Sequence, residues 1–146
     1  MEHLETYLRE LCLLPGLSGH EQPVCRYMAR HFEDNGFEVR TDALSNCMAK
    51  IEGTDPGAPV VMIFAHMDSL GFIVRCIEDD GFIRLERLGG IPEKALPATE
   101  IQIGTRDGRW LDGVIAMKAH HVTPPEESTW WTSTPACLWT SARPAE

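Results

Sequence analysis

Positive charge is scarce in this sequence: 13 Lys and Arg stand against 22 Asp and Glu in 146 residues, a formal net charge of −9. A surface of that sign is at a disadvantage in wrapping nucleic acid or holding anionic lipid, so neither partner is expected. Long apolar runs are missing too, since no stretch reaches the roughly 18 residues needed to span a bilayer. Met1-Glu2-His3-Leu4-Glu5 has neither the basic start nor the apolar stretch of a secretory signal, so a cytoplasmic location is expected. The five cysteines, Cys12, Cys25, Cys47, Cys76 and Cys137, are odd in number and include no C-x-x-C pair. That removes a disulfide framework and a zinc ribbon and leaves the expectation of reduced, mostly buried thiols. There is no G-x-S-x-G, no glycine-rich phosphate loop, no basic stripe interleaved with aromatics and no internal repeat. From Ser128 onward Val, Ile, Phe and Gly disappear as well, while three of the four tryptophans, Trp130, Trp131 and Trp139, crowd into that tail.

What remains is a globular composition, 43% hydrophobic and 24% charged, able to build a core. The length suits one ordinary domain, or one and a half compact modules. Leu4, Tyr7, Leu8 and Leu11 fall on one helical stripe, and Pro15-Gly16 ends it. Ser18-Gly19-His20-Glu21 has the spacing of a capping box, with Ser18 set to cap the amide of Glu21. It introduces Val24, Tyr27, Met28 and Phe32 at helical spacing before the stop at Asn35-Gly36. Short strands are expected at Phe37 to Thr41 and Cys47 to Ile51. Val60-Val61-Met62-Ile63-Phe64 reads as a strand buried on both faces within a partly parallel sheet. Beyond Gly71 the pattern changes to short strands: Phe72 to Ile77, Phe82 to Leu88, Thr99 to Ile103 and Trp110 to Met117. Turns are expected at Glu78 to Gly81, Asp107-Gly108 and Asp112-Gly113.

His66 and Asp68 follow directly on the apolar run, and the carboxyl ends of strands are where open α/β sheets bind ligands. Residues two apart in an extended segment point to one side, so the imidazole and the carboxylate can act together. A metal-ligating histidine with an orienting carboxylate has that geometry. An H-x-D triplet is common by chance, and its plain reading is a polar pair at a strand end. The other histidines have simpler roles. His120-His121 would point to opposite faces of a strand, while His3, His20 and His31 are expected to be solvated or packed. Cys76, inside a strand, reads as a small buried hydrophobe.

The surrounding residues make the triplet specific. Phe64-Ala65-His66-Met67-Asp68-Ser69-Leu70-Gly71-Phe72 closely resembles the A-H-M-D-x-[VL]-G-F block of the dinuclear-metal aminopeptidases, a family that includes glutamyl and deblocking aminopeptidases and members labelled endoglucanase or cellulase M. Pro15 to Glu21 is similar to the family's P-x-x-S-G-x-E opening. Asp42-Ala43-Leu44-Ser45-Asn46 resembles its D-x-L-G-N turn, with Ser45 in place of Gly. Ile91-Pro92, Leu96-Pro97-Ala98, Thr105 to Gly108 and Gly113-Val114-Ile115 continue the likeness into the family's β-domain.

The resemblance implies an α/β fold: a partial zinc-peptidase-type α/β domain over 1–70, then a small, barrel-like, all-β inserted domain over 71–127. It implies a metal-dependent aminopeptidase that hydrolyses N-terminal residues from peptides and forms homo-oligomers. His66 would ligate one of two divalent ions, zinc or cobalt, and Asp68 would be the catalytic-site carboxylate orienting it. The family's bridging carboxylate, its adjacent Glu-Glu pair, a further Asp and a last His have no counterpart here, so a truncated, inactive fragment is expected. Two alternatives stand beside it: a related metallo-deacylase or carboxypeptidase, and a non-catalytic interaction module.

Residues 128–146 depart from the family, which continues with a hydrophobic-Asp-hydrophobic-Gly-Ala block. Trp-Thr-Ser, read one base earlier in its codons with serine encoded as TCN, becomes an apolar residue, Asp and a second apolar residue. This triplet occurs at Trp131-Thr132-Ser133 and at Trp139-Thr140-Ser141, where Ala142-Arg143 can then become Gly-Ala. A frameshift near codon 127 is the expectation, against a flexible, idiosyncratic tail.

Overall fold

The computed structural model describes residues 2–116 and 137–140. The chain divides into two compact units, Met1–Ser69 and Leu70–Glu146.

In the first unit, α1 (Glu2–Leu13) is followed by α2 (Gln22–Asp34), and β1 (Glu38–Thr41) pairs antiparallel with β2 (Cys47–Lys50). α2 has proline in its first turn, where the missing N–H costs no helical bond, and it stops at Asn35 and Gly36. Gly36 adopts φ +81°, a left-handed conformation suited to glycine. Val24 and Cys25 are the buried residues of α2. The Tyr27 hydroxyl donates to Glu10 Oε2 at 2.6 Å, which ties α2 to α1, and that bond with the nearby carboxylate pushes the Tyr27 pKa up to about 12. The His31 ring lies 5.1 Å from that of Tyr7 and 4.3 Å from that of Tyr27, so His31 is packed as expected. The α1 stripe is buried less than its spacing suggests, because Leu4 and Leu8 remain exposed.

Two expectations fail in this unit. Val60 to Phe64 is extended but belongs to no strand, and its side chains are 79–95% exposed. An apolar run shows what a segment is suited to bury, whereas burial on two faces requires neighbouring strands and helices. The sheet of this unit is the β1–β2 hairpin, whose strands pair with each other. No parallel sheet forms among the described residues, and the parallel contact present is the single bridge between Leu17 and Ser69.

The second unit holds β3 (Gly71–Ile77), β4 (Ile83–Leu88), β5 (Glu100–Gly104), β6 (Trp110–Ala116) and β7 (Cys137–Thr140), antiparallel in the order β3-β4-β7-β6-β5. Alternation along β4 turns Ile83 and Leu85 inward, and Phe72, Ile101 and Ile103 pack against them. Ile115 on β6 is 1% exposed. A bulge between Val74 and Cys76 shifts the β3 register. Cys76 is exposed rather than buried, as is Cys12. Asp112-Gly113 is no turn: Gln102 pairs with Asp112 and Ile101 with Gly113, so the ladder continues through them. From the tail, Cys137–Thr140 runs between β4 and β6. His120, His121 and the remaining tail residues lie outside the described residues.

Candidate functional site

The site begins with the loop that joins the two helices. Ser69 N–H donates to the Gly16 carbonyl at 2.6 Å, and Leu17 bridges Ser69 in parallel, so residues 16–18 lie alongside 67–69. Position 16 needs glycine, since a Cβ there would fall 2.9 Å from Val24 Cγ2 and 3.3 Å from the Met67 carbonyl oxygen. His20 N–H donates to the Leu17 carbonyl and Gly19 N–H to Glu21 Oε1, which fixes the loop to the start of α2.

This clamp holds the two residues singled out by the sequence. His66 Nδ1 lies 3.0 Å from Asp68 Oδ1 and 3.1 Å from the Asp68 backbone carbonyl. Both partners can only accept, so the shared proton sits on Nδ1 and neutral His66 carries its lone pair on Nε2. The His66 side chain is 86% exposed and that of Asp68 42%. The pair sits on an extended segment rather than at the end of a buried strand, because the preceding run is unpaired. Same-side placement at i and i+2 still holds.

Ser18 is the residue that sequence reasoning misassigned. Its hydroxyl donates to Asp68 Oδ2 at 2.6 Å, while α2 is capped at Glu21 with no side-chain hydrogen bond. The capping-box spacing concealed a partner fifty positions away. The Ser18 bond, followed by the charge of His66 when protonated, holds the Asp68 carboxyl below its ordinary range.

His66 and Asp68 together form an oriented imidazole. Among the described residues no three His, Cys, Asp or Glu side chains gather into a group able to hold a metal ion. A catalytic zinc normally takes three protein ligands. These residues by themselves therefore do not fit the two-ion centre that the resemblance implies.

Known proteins give the setting for this loop and extended segment. The chain belongs to the M42 glutamyl aminopeptidase family, whose model matches residues 45–135, a span that contains both His66 and Asp68. The Escherichia coli protein SgcX is 41% identical over 77% of this chain and 30% of its own length. The lysyl aminopeptidase of Pyrococcus furiosus is 33% identical over 79% of this chain and 32% of its own. Among solved structures, the TET1 peptidase of Pyrococcus horikoshii superposes with a TM-score of 0.76 at 26% identity, covering 92% of this chain and 39% of that one. The chain thus spans about a third of the length of the curated relatives it matches.

Proposed function

We propose that these residues form the His66–Asp68 portion of a metal-dependent aminopeptidase site, and that the 146-residue chain alone does not hydrolyse peptides. The observation that carries this is the oriented imidazole: Nδ1 is committed to Asp68 at 3.0 Å, which leaves Nε2 as the ligand atom of an exposed ring. In this reading His66 is one ligand of a two-ion site for zinc or cobalt, and Asp68 orients it. A water bound between metal ions becomes a nucleophile near neutral pH only when their charge lowers its pKa and a base removes its proton. One histidine supplies neither condition.

The substrate class we assign is a peptide with a free N-terminus, and the location the cytoplasm. We assign 1–70 to the N-terminal part of the peptidase domain and 71–127 to an incomplete inserted β-domain that serves assembly, whose sheet also takes in Cys137–Thr140 between β4 and β6. The Pyrococcus horikoshii peptidase is described as assembling into a tetrahedron or a large octahedral shell, which supports a homo-oligomeric family state.

Equilibrium dialysis of the purified chain against zinc or cobalt tests the ligand count. Weak binding that disappears in His66→Ala is expected. Retention of two ions per chain through gel filtration would contradict it.

A further inference from the structure

Within the Pro15 to Glu21 block, Ser18 makes the 2.6 Å hydrogen bond to Asp68 Oδ2. Three features show that this contact is built into the fold. The loop and the 67–69 segment are joined by backbone through the Ser69 N–H to Gly16 carbonyl bond and the Leu17–Ser69 bridge. A Cβ at position 16 would fall 3.3 Å from the Met67 carbonyl oxygen and 2.9 Å from Val24 Cγ2, so the loop is packed tightly against both the 67–69 segment and α2. Ser18 itself is free of helix capping, because α2 begins at Gln22 with Glu21 as its cap.

We propose that Ser18 is a positioning residue for His66: by holding Asp68 Oδ2 it fixes the carboxylate so that Oδ1 faces Nδ1, which keeps the ring proton on Nδ1 and the lone pair on Nε2. This rests on Asp68 being the carboxylate that orients His66. A carboxylate with one oxygen tethered loses rotation about its terminal torsion, the broad and weakly restrained angle of Asp. Without the tether, the Oδ1 contact competes with water on an exposed ring, and Nδ1 keeps only the Asp68 carbonyl at 3.1 Å. A free neutral histidine side chain favours the proton on Nε2, so loss of the tether moves the proton toward the ligand atom.

Ring-nitrogen NMR of His66 in the metal-free 146-residue chain, recorded at a pH where the imidazole is neutral, reads the tautomer directly. The chain as it stands is expected to show predominantly Nδ1–H. Ser18→Ala shifts the population toward Nε2–H, Ser18→Thr, which keeps the hydroxyl, restores it, and Ser18→Cys, a weaker donor, lies between. Backbone amide spectra confirm that each variant is folded, and a purely structural role for Ser18 would not move the tautomer of a folded chain. Asp68→Ala separates the two levels of the proposal. If Asp68→Ala shifts the tautomer and folded Ser18→Ala does not, the role of Ser18 is overturned while Asp68 keeps its own. If neither variant shifts it, the orienting role of Asp68 falls, and that of Ser18 with it.

Discussion

Asp42 and Ser45 share the turn between β1 and β2 and act on it in opposite directions. Asp42 Oδ1 accepts from the backbone N–H groups of Leu44 and Asn46, both at 2.9 Å, and Oδ2 accepts from the Asn46 side chain at 2.7 Å. The Asn46 side chain, then its backbone N–H, hold the Asp42 carboxyl below its ordinary range. The folded pKa thus lies below the unfolded value of about 3.9. Its stabilising contribution is complete above that value and is lost as pH falls through the depressed folded pKa. A carboxyl-carbon NMR titration is expected to place the Asp42 midpoint below that of an unstructured Asp peptide, and Asp42→Asn is expected to remove this acid dependence from the hairpin. Ser45 meanwhile sits at φ +64°, where a Cβ is unfavourable. The family pattern has Gly at this place, and the backbone gives the reason. Ser45→Gly relieves the left-handed penalty but enlarges the unfolded ensemble, for a net gain of about 0.5–1 kcal/mol. A denaturant midpoint that stays level or falls would contradict this. The turn was legible through its likeness to the family's D-x-L-G-N block, a local pattern whose bonds span a few residues, while the role of Ser18 was hidden because its partner, Asp68, is fifty positions away.

Among the elements, those defined by local signals match their sequence patterns. α2 stops at Asn35-Gly36, and the β3–β4 hairpin closes at Glu78 to Gly81, where Glu78 N–H bonds the Phe82 carbonyl. Elements whose identity depends on distant neighbours were less legible. Asp112-Gly113 has turn composition but is held in β6 by its partners on β5. Val60 to Phe64 has the composition of a buried strand without the neighbours that would make it one. Its exposure has two measurable consequences. Ile63→Lys, at a side chain 93% exposed, is expected to change stability by less than about 0.5 kcal/mol, the range of surface substitutions. The same charge breaks an exposed run of five apolar residues able to pair with other chains, so light scattering of the variant should show less self-association. An unfolding free energy lowered by the several kcal/mol typical of a buried charge would show the run to be covered.

At the scale of the whole molecule, the 146 residues hold two compact units and about a third of the length of the curated relatives. The tail remains the distinctive stretch. Cys137–Thr140 pairs with both β4 and β6. We propose that residues 128–146 arise from a frameshift near codon 127. Resequencing the gene is expected to show that block in the alternative frame, followed by the missing carboxylates and histidine, and a stop codon within the stretch would rule it out. The most direct measurement of the central claim is an aminopeptidase assay on the purified 146-residue chain supplied with zinc or cobalt. The expected result is no release of N-terminal residues beyond that of the metal in buffer, since one oriented histidine neither holds two ions nor supplies a general base. Turnover that requires metal, stops with chelator and disappears in His66→Ala would contradict it.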